Sequence, residues 1–122
     1  MSECKSHQLF DAYFTAKAMG DVFSDHGRVQ AMLDFEAALA RAQARVGLIP
    51  QCAVMPIHVA CRASLYDFEA LGQAIATAGN SAIPLVKALG KQIAIAAPEA
   101  ERYVHLGATS QDVMDTGLVL QL

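Results

Sequence analysis

The stretch YVHLGATSQDVMDT, residues 103–116, predicts a glycine-containing loop that turns into a helix. Thr109 and Ser110 offer two hydroxyls at the turn, and residues 111–122 fit a helix with Val113, Gly117 and Leu120 on one face. Unpaired amides at a helix start, together with the helix dipole, favour a carboxylate or phosphate. His105 adds a titratable group. Serine and threonine are also preferred helix caps. The stretch therefore predicts either a cap alone or a cap combined with an anion site.

The composition is typical of one compact helical domain. The chain has 122 residues, 54% of them hydrophobic, and a net charge of −3 without tryptophan or a basic run. A nucleic-acid partner is therefore not expected. No apolar run approaches the roughly 20 residues of a membrane helix. Residues 1–7 lack the apolar core of a signal peptide, so no membrane association and a cytoplasmic location are expected.

The cysteines and histidines do not form a cluster in the sequence. Cys4, Cys52 and Cys61 are odd in number and widely spaced, which predicts reduced thiols rather than a disulfide framework or a zinc site. The histidines show no metal-ligand spacing. His58 is interpreted as an ordinary helix histidine, because nothing near it in the sequence completes a site.

Two helices have clear start and stop signals. Ser24 is a predicted N-cap for a helix that reaches Val46, with Gly47 as its terminator and Pro50 after it. Asp67 likewise predicts a helix over 68–78 that Gly79 ends. Spacings of three and four on the first helix predict a buried stripe of Met32, Phe35, Leu39, Ala42 and Val46.

Other segments carry weaker signals. Residues 9–14 are expected to lie extended against the helices, and residues 16–23 to form a short helix. A helix is expected within 51–64, kinked or delayed by Pro56. Pro84 suits the first turn of a further helix, and residues 97–107 are expected to form a loop. The predicted buried stripe of that further helix is Val86, Leu89, Ile93 and Ala96.

No helix stop signal follows residues 118–122, whose leucines and valine need apolar partners. We therefore expect the chain to be the N-terminal part of a longer protein.

With this helix order in view, the chain resembles the N-terminal region of the aspartase/fumarase superfamily. The string HLGATSQD at 105–112, followed by Asp115 and Thr116, is similar to the first of its three signature regions. The string LDFEAAL at 33–39 continues the resemblance upstream. It implies an all-α fold in which residues 1–109 form an N-terminal helical domain and residues 110–122 begin the central helical bundle.

Three strings narrow the resemblance within the superfamily. DAYFT at 11–15, AGNSAIPLVKALG at 78–90 and YVHLGATSQD at 103–112 are similar to bacterial 3-carboxy-cis,cis-muconate cycloisomerases. That family implies interconversion of a small tricarboxylate substrate and its lactone in protocatechuate catabolism, through the β-ketoadipate pathway. It also implies that no metal or organic cofactor is needed.

The resemblance also implies roles for individual residues. Thr109 and Ser110 would bind a substrate carboxylate through hydroxyls and nearby amides, and His105 would add a supporting hydrogen bond or positive charge. Asn80 and Ser81 would line the pocket from a second loop, although asparagine after glycine is also a common turn residue.

Lys87 and Arg102 are weaker candidates as cationic partners, because such residues are usually exposed surface charges. The superfamily's second signature and its mobile serine-bearing loop have no counterpart in these residues. The main catalytic acid or base is therefore expected elsewhere, and the piece alone is expected to be inactive. Family members are homotetramers whose active sites combine three subunits.

Two alternatives remain open. Adenylosuccinate lyase would show an arginine before Tyr13 and a His-Asp pair in place of Asn80 and Ser81, whereas residue 12 is alanine. A non-catalytic helical module would use the apolar stripes and the last helix for self-association, with the loop of Thr109 and Ser110 acting only as a cap.

Overall fold

The computed structural model describes residues 9–122, which are helical and contain no strand. The predictions for Cys4 and for residues 1–7 lie outside this range. The α-helices are α1 Asp11–Phe14, α2 Lys17–Val22, α3 Asp25–Arg45, α4 Val54–Ala60, α5 Phe68–Ala78, α6 Ala82–Ala96 and α7 Ser110–Gln121. Short 3₁₀ segments span Gln51–Ala53, Ala63–Leu65 and Pro98–Tyr103. The predicted all-α fold is confirmed.

The predicted caps are confirmed where the signal is local. The Ser24 hydroxyl accepts a hydrogen bond from the Gly27 amide at 3.0 Å, and α3 ends just before Gly47, whose φ is 83°. The Asp67 carboxylate accepts from the first amides of α5, which ends at Gly79 with φ 67°. Only glycine adopts this left-handed conformation without a steric cost.

The predicted buried stripe of α3 is correct only in part, since Met32 is buried and Phe35 packs against the core. Of the predicted stripe, Ala42 is exposed and Val46 is 71% exposed. The buried residues of α3 are Ala31, Met32, Leu33, Glu36, Ala37, Ala40 and Gln43. Glu36 and Gln43 lie on this face because each has a hydrogen-bond partner at residue 105 or 106. A pattern of apolar residues alone does not reveal them.

The predicted stripes of α6 and α7 are correct only in part. On α6, Leu89 and Ile93 are buried, but Ala96 is exposed, and Leu85 is the residue that extends the buried face. On α7, Val113 and Gly117 are buried, whereas Leu120 is 56% exposed. The last turn of α7 presents apolar side chains that no described residue covers.

Two of the weaker segments, residues 9–14 and 97–107, differ from their predicted shape, and the delayed helix expected within 51–64 is confirmed. Residues 9–14 are not extended against the helices, since 11–14 form one turn closed by local hydrogen bonds and the Tyr13 side chain is 82% exposed. The helix within 51–64 is delayed to Val54, which leaves Pro56 in the first turn, where its missing N–H removes no helical bond. Residues 98–103 form a 3₁₀ helix with Pro98 at its start and Ala100 buried, rather than an open loop.

Helices α3 and α7 run antiparallel and form the centre of the packing. Gln43 near the end of α3 contacts Leu106 just before α7, Met32 packs on Gly117, and the Gln121 amide donates to the Val22 carbonyl at 2.8 Å. The core around this pair contains Leu33, Ile57, Leu85, Leu89, Ile93 and Val113, all fully buried. The start of α7 is thereby fixed beside the C-terminal half of α3.

Cys52 and Cys61 are free thiols, as predicted, with Cys52 exposed and Cys61 buried. Burial, reinforced by the nearby Glu36 charge, raises the pKa of Cys61 to about 12. Within residues 9–122 no helix has the length and apolar character needed to cross a membrane.

Candidate functional site

The loop before α7 is attached to α3 at two points. The Nδ1 atom of His105 lies 2.5 Å from Oε1 of Glu36, and the Gln43 amide donates to the Leu106 carbonyl at 2.6 Å. Glu36 and Gln43 are seven residues apart, so they lie on the same face of α3 two turns from each other. Helix α3 therefore sets the position of the loop.

The loop backbone takes a shape that needs such support. His105 has φ 57°, and it is the sole non-glycine residue with a positive φ between residues 9 and 122. Left-handed backbone costs a residue with a Cβ atom roughly 1–2 kcal/mol. The bond to Glu36 helps to offset this cost. Gly107, with φ 73°, completes the turn into α7.

Glu36 is a buried acid with one oxygen unpaired. The residue is 1% exposed, and its Oε2 atom has no hydrogen-bond partner among the described residues. Burial raises the pKa of Glu36, and the nearby His105 partly opposes this shift. A buried carboxyl group whose only partner is an imidazole is unusual, because buried polar atoms are nearly always satisfied.

Thr109 caps α7, as one of the sequence interpretations expected. Its hydroxyl donates to the Asp112 carboxylate at 3.0 Å and accepts from the Asp112 amide, while its own amide donates to the same carboxylate at 2.8 Å. These two donors, with a smaller contribution from the charge of His105, lower the pKa of Asp112. The single hydroxyl proton of Thr109 is thus committed to the cap.

Ser110 is differently placed. It is the first residue of α7 and is half-buried, and no described residue bonds its hydroxyl. The amides of Ser110 and Gln111 precede the first intrahelical bonds, and they too have no acceptor among the described residues. The loop therefore presents one hydroxyl and two amides at the positive end of a helix, close to His105.

Asn80 and Ser81 lie in the turn before α6. The Asn80 side-chain oxygen accepts from the amides of Ala82 at 2.8 Å and Ile83 at 3.1 Å, so it caps the helix and leaves its NH₂ group for another partner. The Ser81 hydroxyl is buried without a partner among the described residues. It lines a cavity of about 380 Å³ between α3, α5 and α6.

The turn at Asn80 and Ser81 and the loop before α7 lie at different points along α3. Ser81 shares its cavity with Met32, whereas the loop before α7 is held by Glu36, four residues further along α3, and by Gln43, eleven residues further.

The cationic candidates are exposed. Lys87 lies on the solvent side of α6. The Arg102 guanidinium stacks on the Tyr103 ring at 4.8 Å and donates to its hydroxyl at 2.6 Å. His58 is exposed on α4, in line with its interpretation as an ordinary helix residue. No group of three metal-ligating side chains occurs within residues 9–122.

Sequence reasoning missed Glu36 and Gln43. The available signal was a pair of polar residues seven apart in the segment LDFEAALARAQ at 33–43, on a helix face that also carries Leu33, Ala37 and Ala40. Such spacing places two polar groups on one helix face, which is expected only if each finds a buried partner.

Comparison with known proteins defines the class. A sequence profile described as lyase matches residues 12–122, nearly the whole chain. The chain belongs to this lyase family, in agreement with the resemblance to the aspartase/fumarase superfamily.

Individual relatives show which kind of lyase the chain is most similar to among those compared. The chain is 74% identical to 3-carboxy-cis,cis-muconate cycloisomerase of Pseudomonas putida over 117 residues. The matched region covers 96% of this chain and 28% of that enzyme. The chain is 70% identical over 122 residues to the enzyme of that name from Pseudomonas aeruginosa, covering 27% of it. The crystal structure of the 3-carboxy-cis,cis-muconate lactonizing enzyme from Pseudomonas putida superposes with a TM-score of 0.92 over 93% of this chain and 26% of that one. The chain thus spans about a quarter of these relatives.

Proposed function

We propose that this chain is part of a cycloisomerase that interconverts 3-carboxy-cis,cis-muconate and its lactone. The 74% identity to the Pseudomonas putida enzyme of that name carries the proposal. The loop around Ser110 supports it, because unpaired donors at a helix start suit a substrate rich in carboxylates.

In the proposed reaction, one substrate carboxylate oxygen forms a bond to carbon as a conjugated double bond breaks. The adjacent carbon gains carbanion character that spreads onto a second carboxylate, and a proton then forms the new C–H bond. Donors fixed where charge develops lower this barrier. We assign that role to the Ser110 hydroxyl, the Ser110 and Gln111 amides, and His105, with Thr109 holding the helix start in place.

Asn80 and Ser81 fit the same site through a second copy of the chain. Membership of the lyase family supports a composite site in which the two loops come from different subunits, as the resemblance to the superfamily implies. The proton donor to carbon would come from residues that this chain does not contain. We therefore propose that the chain alone does not turn over substrate, and that α7 begins the central bundle of a homotetramer.

The exposed apolar end of α7 supports the assembly. Leu118 is 52% exposed, Val119 66% and Leu120 56%, and such a surface is normally covered by other helices. Sedimentation of a chimera in which this chain replaces the matching segment of the Pseudomonas putida enzyme tests the tetramer. A monomer at micromolar concentration would contradict it.

The activity is tested with a chimera in which this chain replaces the segment that it matches in the Pseudomonas putida enzyme. Loss of diene absorbance reports lactone formation from 3-carboxy-cis,cis-muconate. We expect turnover comparable to the parent and none by this chain alone. A folded, tetrameric chimera without turnover would overturn the proposal.

A further inference from the structure

The Glu36 carboxyl group and the His105 imidazole share one proton. Oε1 of Glu36 and Nδ1 of His105 are 2.5 Å apart, so one proton lies between them. The other ring nitrogen, Nε2, is bonded by no described residue, and the His105 side chain retains 18% exposure. The pair therefore has two possible protonation states, which differ only in whether Nε2 carries a second proton.

Burial decides between the two states. With a proton on Nε2 the pair is neutral as a whole, whether the shared proton sits on the carboxyl or on the ring. Without it, the pair carries one negative charge on a group that is only 1% exposed. An uncompensated buried charge costs more than a pair whose net charge is zero.

A second acid, Asp112 on α7, lies near His105. Its carboxylate accepts two hydrogen bonds from Thr109, whereas the Glu36 carboxyl group bonds the imidazole. Glu36 is therefore the acid that positions the ring.

We propose that Glu36 is a positioning residue that makes His105 a hydrogen-bond donor, with Nε2–H directed at a substrate carboxylate, rather than a base that removes a proton. This inference rests on the proposed function of the loop at Ser110. Within residues 9–122 the Glu36 carboxyl group makes its hydrogen bond to His105, so it acts on substrate through the imidazole. Gln43 has the separate task of holding the backbone, because its bond goes to the Leu106 carbonyl.

Glu36→Gln in the active chimera tests the proposal, because glutamine keeps the shape of the side chain but not its charge. The glutamine amide either accepts from Nδ1–H, which leaves Nε2 of a neutral ring as a lone pair facing the substrate carboxylate, or donates its NH₂ to Nδ1, which keeps Nε2–H. The ¹⁵N chemical shifts of His105 identify which tautomer the variant holds. With the Nε2 lone pair we expect KM for 3-carboxy-cis,cis-muconate to rise and kcat/KM to fall about tenfold to 100-fold, the range seen when the carboxylate partner of a metal-ligating histidine is removed. With Nε2–H we expect KM to stay that of the parent.

A double-mutant cycle separates positioning from structure. His105→Asn removes the imidazole and suits the left-handed backbone, where asparagine is enriched. If Glu36 acts through His105, adding Glu36→Gln to His105→Asn changes kcat/KM by less than about twofold. Multiplicative losses would overturn the positioning role. Unchanged activity in His105→Asn alone would instead refute the proposed function of the loop.

Gln30→Leu is the matched control on the same helix. Gln30 is also a partly buried α3 residue that ties down a distant segment, donating to the Cys61 carbonyl at 3.0 Å and accepting from the Ala63 amide. We expect it to lower the melting temperature without changing KM. If Glu36→Gln fails to fold, Glu36→Asp replaces it, with a smaller loss expected and the same dependence on His105. A KM equal to that of the parent in a folded Glu36 variant whose His105 has lost Nε2–H would contradict the proposal.

Discussion

Gly117 of α7 packs directly against the Met32 side chain of α3. A Cβ atom at position 117 would lie 2.9 Å from Cγ of Met32 and 3.5 Å from its backbone nitrogen. The absence of a side chain is what lets the two helices approach here. This contact fixes the register of α7 on α3, and with it the position of Ser110 relative to Glu36.

Gly117→Ala should therefore destabilise the chain despite the higher helix propensity of alanine. The new methyl group forces the Met32 side chain to move, and overpacking of this kind costs about 1–3 kcal/mol. Urea denaturation measures the change in the free energy of unfolding.

Gly72→Ala on α5 is the control for Gly117→Ala. A Cβ atom at position 72 meets nothing within 4 Å, so this substitution should be neutral or stabilising by up to about 1 kcal/mol. Equal effects at the two glycines would contradict the close packing of α7 on α3.

Glu36 should make stability depend on pH in an unusual direction. Its pKa in the folded chain is raised above the ordinary 4.5, mainly by burial. The folded state therefore keeps a proton that the unfolded chain has already lost. This stabilisation is fully present below pH 4.5 and is lost as pH rises through the folded-state pKa.

Glu36→Gln removes the pH dependence of the free energy of unfolding that comes from the Glu36 carboxyl group. The free energy of unfolding of the variant relative to the parent chain should increase between pH 4.5 and pH 7, as measured by urea denaturation across the series. A difference that stays constant or decreases over this range would show that the acid is not held protonated by burial.

Thr109→Ala tests the helix cap. Loss of an N-cap side chain costs about 1 kcal/mol at neutral pH. The Thr109 donors hold the pKa of Asp112 below 3.8, so their contribution is present above that pH and is lost as pH falls through the folded-state pKa. The stability difference between Thr109→Ala and the parent should thus shrink in acid. Denaturation at pH 7 and pH 3 checks this, and an equal loss at both would contradict the cap.

Local signals predicted the helices, and distant contacts determined which faces are buried. Ser24, Asp67 and Gly79 act on amides and carbonyls within a few residues, so the bounds of α3 and α5 could be predicted from the sequence. The buried face of α3 could not, because the partners of Glu36 and Gln43 lie 69 and 63 residues away.

In the candidate site too, residues close together in the sequence could be predicted, and contacts between distant segments could not. The sequence indicated Ser110 and His105, since both belong to one short loop at a helix start. It also indicated Thr109 as a possible helix cap, and the hydrogen bonds of Thr109 with Asp112 three residues on are of that kind. It gave no indication that Ser81 shares a cavity with Met32 of α3, because that contact depends on helix packing rather than on local sequence.

The most direct test of the account is kcat/KM for 3-carboxy-cis,cis-muconate in the chimera carrying Ser110→Ala. Removal of one donor at a site of developing charge typically lowers the rate about 100-fold to 1000-fold. We expect a loss approaching that range with an unchanged melting temperature. Ser64→Ala, at an exposed serine in the 63–65 turn, should leave kcat/KM unchanged. If Ser110→Ala retains kcat/KM within about twofold of the parent chimera, the start of α7 is a structural cap and not a carboxylate site.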